Sequence, residues 1–148
     1  MMIDNHTIAY RNVVSKYYQF MPEEIELAFQ DFEALLEKHQ YHPTGTVFFS
    51  IMSDPTEEIM TAEIFFGIEE EQFALESEDY LRFRSYFSVK PMFMTRVEGD
   101  IQEQAQVKYW ELIERLNQLG VEQATPVFVE YKRTHSDQSY IEMSVGYR

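Results

Sequence analysis

The sequence predicts an α+β fold built from duplicated β-α-β-β modules, which form a curved antiparallel sheet with two main helices packed on one face. Three observations support this prediction. Two segments show the three- and four-residue apolar spacing of amphipathic helices, strand-like segments flank both in the same order, and both halves end on similar strands. We expect a single domain over 1–148, with pseudo-repeat halves at approximately 6–68 and 86–148 joined by a connector at 69–85.

The first half begins with a segment rich in β-branched and aromatic residues at 8–18, which predicts a strand. Pro22 suits a first helical turn, and the apolar stripe over 25–39 predicts an amphipathic helix. The Pro-Thr-Gly segment at 43–45 is expected to end this helix. Two strands are then expected, at 46–52 and 60–68.

The second half repeats this order. A strand is expected over 86–97, with Pro91 at an edge or bend. Asp100 is a candidate helix N-cap with Glu103 in capping-box spacing, and an apolar stripe predicts a helix that ends before a left-handed Gly120. Two strands are expected to follow, at 126–132 and 139–147.

The closing strands of the two halves match residue by residue. Glu63 precedes Gly67 by the same four positions that separate Glu142 from Gly146, and each Glu is followed by an apolar residue. A shared order of elements can arise by chance, but this shared spacing at the same place is harder to explain that way. We therefore infer an internal duplication, with convergence of amphipathic patterns as the alternative.

Composition and charge exclude several classes of protein. Hydrophobic residues make up 45% of the chain and aromatic residues 16%, which is enough to build a core. Acidic residues outnumber basic ones 26 to 12, so no nucleic-acid partner is expected. No apolar run predicts a membrane span and no secretory signal is visible, so a cytoplasmic protein is expected. The chain has no cysteine, which excludes disulfides and thiolate chemistry.

Strand alternation groups the candidate site residues. Tyr140 and Glu142 share one face of the last strand, and Glu63 and Phe65 share the corresponding face of its counterpart. The opposite faces are uniformly apolar and are expected to receive the helices. A groove between the halves with carboxylates and rings suits a flat or cationic organic ligand. A simply solvated face is the alternative interpretation.

The chain resembles the GyrI-like effector-binding family, whose members form the drug-binding halves of several transcription regulators. The resemblance covers most of the chain and is strongest over 89–147. Its carriers are the strand segment 90–94, Gly99, the helix segment 110–119, Gly120 and the closing segment 142–146. Gly146 stands where the family often has proline. The resemblance implies two fused β-α-β-β modules with a central ligand cleft, and it implies that Glu142 faces a cationic ligand.

We therefore expect a stand-alone, noncatalytic bacterial module that binds a small lipophilic or cationic compound in a cleft between the halves. Its ligand-binding residues would be Glu142, Glu63, Tyr140 and Phe65. No cofactor and no metal are expected, because His39 and His42, three residues apart, lack an obvious third ligand. A hydrolase that uses Glu142, with Glu63 as the other member of a general acid and base pair, is the enzymatic alternative.

The main alternative is an acidic inhibitor or immunity protein that covers a basic surface on a toxin or enzyme. The candidate contact residues are the acids of the connector, Glu69, Glu70, Glu71, Glu76, Glu78 and Asp79. Burial separates the two interpretations. A ligand site needs Glu142 at least partly buried and near aromatic rings, whereas an inhibitor would concentrate exposed acids in one patch.

Overall fold

The structure is a computed structural model that describes residues 2–74, 80–99, 101–134, 136 and 138–148, with the side chains of 101 and 102 excepted. The strands are β1 (Met2–Phe20), β2 (Pro43–Ile51), β3 (Met60–Ile68), β4 (Arg82–Val97), β5 (Gln123–Arg133) and β6 (Ser139–Tyr147). The helices are α1 (Ile25–Lys38), preceded by a 3-10 turn at Pro22–Glu24, and α2 (Ile101–Leu119). The α+β class and the twofold β-α-β-β order are confirmed, and the expected N-cap Asp100 lies outside the described residues.

The chain divides into two compact units. The first unit is Ala9–Ser88, and the second unit is Val89–Arg148 together with Ile8 and the residues before it. These limits differ from the predicted halves, because β1 and β4 each contribute residues to both units. The single domain and the common origin of the halves stay predictions.

In the first unit, β3 pairs antiparallel with both β1 and β2. The helix α1 packs on the apolar face of β3, where the rings of Phe32 and Phe66 lie 5.0 Å apart. Phe29, one turn earlier, lies 6.3 Å from Phe49 of β2. The apolar stripe of α1 therefore covers the face that alternation assigned to it.

In the second unit, β6 is likewise the middle strand, paired antiparallel with β4 and β5. The helix α2 contacts β5 and β6 and buries Leu112 and Leu116. Arg115 of α2 lies 5.9 Å over the ring of Phe93, which in turn stacks on Tyr147 at 4.1 Å. Neither helix, over its described residues, is long and apolar enough to cross a membrane.

Three predicted boundaries are wrong. The strand β2 starts at Pro43 and not at the predicted 46, and the register between Pro43 and Val47 is irregular. The first strand starts at Met2, well before the predicted 8, and β4 starts at Arg82 within the expected connector. The first residues of both strands include exposed polar residues such as Asp4 and Ser85. They therefore lack the alternation of apolar and polar residues by which a strand is predicted.

The repeated Glu-to-Gly spacing has a packing explanation. A Cβ atom on Gly67 would lie 2.6 Å from Thr44 Oγ1, and one on Gly146 would lie 2.8 Å from Thr125 Cγ2. Both threonines lie in the irregular stretch of the neighbouring strand, before Val47 in β2 and before Val127 in β5. Glycine fits at both positions because a threonine side chain of the neighbouring strand occupies the space that a Cβ atom would need.

The middle strands are buried on both faces. Every residue from Ala62 to Ile68 is buried, and so is every residue from Glu142 to Gly146. The alternative of a solvated second face is therefore wrong for these segments. Both glutamates lie in protein interior, where a charge requires compensation.

Replacing Gly146 with alanine should destabilise the protein by about 1–3 kcal/mol, because the new methyl group overpacks the contact with Thr125. The free energy of unfolding in urea measures this loss. Thr125→Ala in the same chain removes the two clashing side-chain atoms, so the double variant should recover about 1 kcal/mol relative to the sum of the single changes. Additive losses would show that the close approach does not explain this glycine.

Candidate functional site

Two carboxylates lie next to each other inside the second unit. In the strand register, Glu142 of β6 is directly opposite Glu130 of β5 on one side and Arg96 of β4 on the other. Glu142 is 5% exposed and Glu130 is 1% exposed. Like charges directly opposite each other across a strand pair are destabilising, so this arrangement requires nearby cations.

Three basic side chains contact this carboxylate pair. Lys132 Nζ lies 2.9 Å from Glu142 Oε1 and 3.5 Å from Glu130 Oε2. Arg96 Nη2 lies 3.5 Å from Glu142 Oε2, and His6 Nε2 lies 3.0 Å from Glu130 Oε1. These five residues form what we call the Glu142 cluster. Each carboxylate has one oxygen toward Lys132 and the other toward a second basic residue.

The hydrogen bonding of the cluster is incomplete. Glu142 Oε1 is buried and accepts no hydrogen bond from the residues that the structure describes. The ammonium of Lys132 lies at ion-pair distance from this oxygen, but the geometry is not that of a hydrogen bond. A buried acceptor without a hydrogen bond costs about 1–3 kcal/mol. The contact of Glu142 Oε1 with Lys132 is therefore an ion pair without aligned hydrogen bonding.

Lys132 remains charged in this environment. Partial burial lowers the pKa of its ammonium group, but the interaction with Glu142 and the charges of Glu130 and Glu142 outweigh that effect and raise the pKa above its usual value. The side chain is still 30% exposed. The cation that lies between the two carboxylates is thus supplied by a flexible side chain that reaches solvent.

Tyr140 completes the surroundings of Glu142. Its ring lies 4.4 Å from the guanidinium of Arg96, which places Arg96 between an aromatic face and the carboxylate. Tyr140 is also directly opposite Lys132 in the pairing of β5 and β6. Stacking on a ring and an ion pair together restrict the orientation of Arg96.

Glu63 occupies the corresponding strand position in the first unit but has different partners. Ser15 Oγ donates a 2.7 Å hydrogen bond to Glu63 Oε2, and Arg84 Nη1 lies 3.4 Å from the same oxygen. Phe65 stacks on Phe48 at 4.5 Å, and the guanidinium of Arg84 lies 5.4 Å from the Phe65 ring. One oxygen of Glu63 is therefore contacted by both a hydroxyl group and a guanidinium, beside a cluster of rings.

The four predicted site residues thus lie in two places. Glu142 and Tyr140 belong to the second unit with Arg96 between them, and Glu63 and Phe65 belong to the first unit beside Arg84. Their assignment to one ligand site stays a prediction. The sequence analysis missed Ser15 and Arg84 beside Glu63. It also missed Arg96, Lys132 and Glu130 beside Glu142, and His6, which contacts Glu130.

The sequence does contain a signal for two of these residues. Glu130 and Lys132 are two positions apart on a predicted strand, so alternation places them on the same face. An acid and a base on one face of an otherwise apolar strand indicate a buried polar group. No comparable signal existed for His6, which precedes the predicted first strand, or for Arg84, which lies in the expected connector.

The donor set of the cluster is compatible with a metal ion. Ligand atoms of His6, Glu130 and Glu142 all lie within 4.8 Å of one another. However, the ammonium of Lys132 lies against both carboxylates, so this arrangement has a compensating charge without a metal ion. His42, which the sequence analysis considered together with His39 as a possible metal ligand, bonds to Glu70 through Nδ1 at 2.6 Å.

The acids of the expected connector are only partly described. Glu69 and Glu71 are exposed, whereas Glu70 accepts hydrogen bonds from the backbone and the ring of His42. Glu76, Glu78 and Asp79 lie outside the described residues, as does His135.

Comparison with known proteins gives the family. The chain belongs to the family described as a domain of unknown function (DUF5085), whose model matches residues 9–147. No curated protein matches the chain.

Solved structures share the fold. The chain is similar to EcmrR in the cryo-EM structure of an EcmrR–DNA complex, with 12% identity and a TM-score of 0.71 over 97% of this chain and 57% of that one. The crystal structure of the EcmrR C-terminal domain matches with 9% identity and a TM-score of 0.62 over 97% and 96% of the two chains. A hydrolase from Listeria innocua matches with 11% identity and a TM-score of 0.55 over 100% and 90%.

These comparisons establish a fold and not an activity, because all three identities are low. The chain spans little more than half the length of EcmrR in the DNA complex. Nearly all of this chain, 97%, corresponds to 96% of the separate EcmrR C-terminal domain.

The contact between His42 and Glu70 predicts the direction in which the pKa of His42 is shifted. The hydrogen bond and charge of Glu70 raise the pKa of His42 above 6.5, and the same contact lowers the pKa of Glu70. In an NMR titration, the imidazole of His42 should therefore titrate above 6.5, and Glu70→Gln should return its pKa toward that value. An unchanged His42 titration in the variant would contradict the pairing.

Proposed function

We propose that this chain is a noncatalytic, GyrI-like ligand-binding module of the bacterial cytoplasm that binds a small lipophilic or cationic organic compound at Glu142. Two independent lines support the proposal. The sequence resembles the GyrI-like effector-binding family, and the fold is shared with the EcmrR C-terminal domain. We expect no nucleic-acid or membrane partner for this module.

The observation that carries the proposal is the buried carboxylate of Glu142 with an oxygen that accepts no hydrogen bond among the described residues. A carboxylate attracts a cation more strongly in protein interior than in water, because the surroundings screen the charge less. Tyr140 and Arg96 restrict one side of Glu142, and Lys132 and Glu130 lie on another. Such a site recognises charge and hydrogen-bond donors.

One observation next to the cluster argues against a serine nucleophile. Ser144, on the same face of β6 as Glu142, is fully buried, and its hydroxyl has no hydrogen-bond partner among the residues described. A serine nucleophile requires an adjacent base, which this hydroxyl lacks. The similarity to a hydrolase supports a hydrolytic role for Glu142 only at the level of fold.

The burial of Glu142 is the property that distinguishes a ligand-binding module from an acidic inhibitor. Glu142 is buried and lies near the Tyr140–Arg96 stack, as a ligand site requires. The acidic patch expected of an inhibitor stays a prediction, because three of its six acids lie outside the described residues.

Wild-type protein should bind at least one compound from a panel of lipophilic cations that runs from benzylammonium to tetraphenylphosphonium. Glu142→Gln should weaken that binding by roughly tenfold or more, because it removes the charge that attracts the cation, a loss of about 1.4 kcal/mol or more. Trp110 fluorescence and the melting temperature report binding, and circular dichroism confirms the fold.

The matched control is Glu111→Gln, since Glu111 belongs to the same unit and forms an exposed ion pair with Lys108. This variant should bind like the wild type. No binding by any compound of the panel, or equal affinity in both variants, would refute the proposal that Glu142 binds a lipophilic cation as an effector.

A further inference from the structure

We propose that the Glu142 cluster is a recognition site for a protonated primary amine, and that the side chain of Lys132 occupies this site until such a ligand displaces it. The inference rests on the proposed function and specifies the chemical class of its ligand. It also assigns Lys132 as the residue that controls affinity.

The distances define the position of the amine. Lys132 Nζ lies between two carboxylates, 2.9 Å from Glu142 Oε1 and 3.5 Å from Glu130 Oε2. Two acceptors on one nitrogen require at least two N–H donors. A primary ammonium group has three, whereas a quaternary ammonium group has none, so the pair of carboxylates selects between these two kinds of cation.

The remaining carboxylate oxygens are anchored. His6 Nε2 contacts Glu130 Oε1, and Arg96 Nη2 contacts Glu142 Oε2, with Arg96 itself held against the Tyr140 ring. These contacts orient both carboxylates so that their other oxygens face a common point. Removal of the Lys132 ammonium would therefore leave a formed anionic site.

Lys132 is a poor occupant of this position. Its side chain extends from the same strand as Glu130, two residues away, so the strand restricts how its ammonium can align with Glu142 Oε1 at 2.9 Å and Glu130 Oε2 at 3.5 Å. A free amine has no such tether to β5 and can align its N–H groups with both acceptors. The flexible and partly exposed lysine side chain can move away into solvent.

Intramolecular competition follows from this arrangement. A tethered ammonium has a high effective concentration at the site, so it weakens the apparent affinity for any free amine. Shortening Lys132 should therefore strengthen the binding of amines, in contrast to the loss expected from Glu142→Gln. This opposite sign distinguishes a displaced occupant from an ordinary contact residue.

The test is chemical rescue of Lys132→Ala with propylammonium, which replaces the three carbons and the nitrogen that the substitution removes. The variant should melt below the wild type, and 100 mM propylammonium should raise its melting temperature by about 4 °C while leaving the wild type nearly unchanged. Isothermal titration should show roughly tenfold tighter binding of propylammonium to Lys132→Ala than to wild type. If the variant does not fold alone, its refolding yield with and without propylammonium gives the same comparison.

Propyltrimethylammonium is the matched ligand control, because it has the same chain and charge but no N–H donor. It should not rescue Lys132→Ala. The double variant Lys132→Ala/Glu142→Gln should fold without the amine and should not bind it, since one of the two carboxylates has been removed. Lys108→Ala, which breaks an exposed ion pair of α2, should show no rescue by either compound.

The outcomes separate the two proposals. Equal rescue by both cations, or no rescue by propylammonium, would overturn the amine site even if the wild type binds a lipophilic cation from the panel. Rescue by propylammonium alone would support the amine site, and an absence of panel binding by the wild type would then count only against the effector-binding role.

Discussion

Two carboxylates buried beside each other, Glu130 and Glu142, form the interaction on which the second unit depends. Their register across β5 and β6 forces them together, and neither can be solvated. Isolated charges in protein interior are expensive, so the positions of Lys132, Arg96 and His6 follow from this constraint. The same constraint explains why a segment near the start of the chain belongs to the second unit, because it provides His6.

The buried glutamate of the middle strand has different partners in the two units. Glu63 faces Ser15 and Arg84, so one acid is matched by one guanidinium and a hydroxyl donor. Glu142 faces a second acid and shares a lysine with it. A satisfied carboxylate stabilises a fold, whereas a carboxylate with an unused acceptor can also bind a ligand. This difference is the physical reason why we propose Glu142, and not Glu63, as the centre of a ligand site.

Much of the fold was predictable from local patterns. The stripe in α1 identified the helix and the face of β3 that it covers, and the spacing from Glu142 to Gly146 identified a strand whose glycine the structure explains by its contact with Thr125. The beginnings of β1 and β4 were not predictable, because exposed polar residues carry little strand signal.

The candidate site was predictable only in part. Alternation placed Glu142 and Tyr140 on one face, but the pairing partners of β6 depend on register. Register brings Arg96 and Glu130 beside Glu142 from strands far apart in sequence. His6 lies 124 residues from Glu130, a separation that no local pattern spans. Contacts of this kind arise only when the whole unit has folded.

The central claim is that Lys132 neutralises the buried carboxylate of Glu142. The most direct test is a double-mutant cycle between Lys132→Met and Glu142→Gln, in which the free energy of unfolding in urea is measured for each variant. Lys132→Met alone should cost about 1–3 kcal/mol, less than for a fully buried pair because the lysine is partly exposed. Adding Glu142→Gln should recover at least about 1 kcal/mol of that loss, since one of the two acids that share Lys132 is gone. Additivity of the two changes within about 0.5 kcal/mol would contradict the account, because it would show that Lys132 does not neutralise this carboxylate.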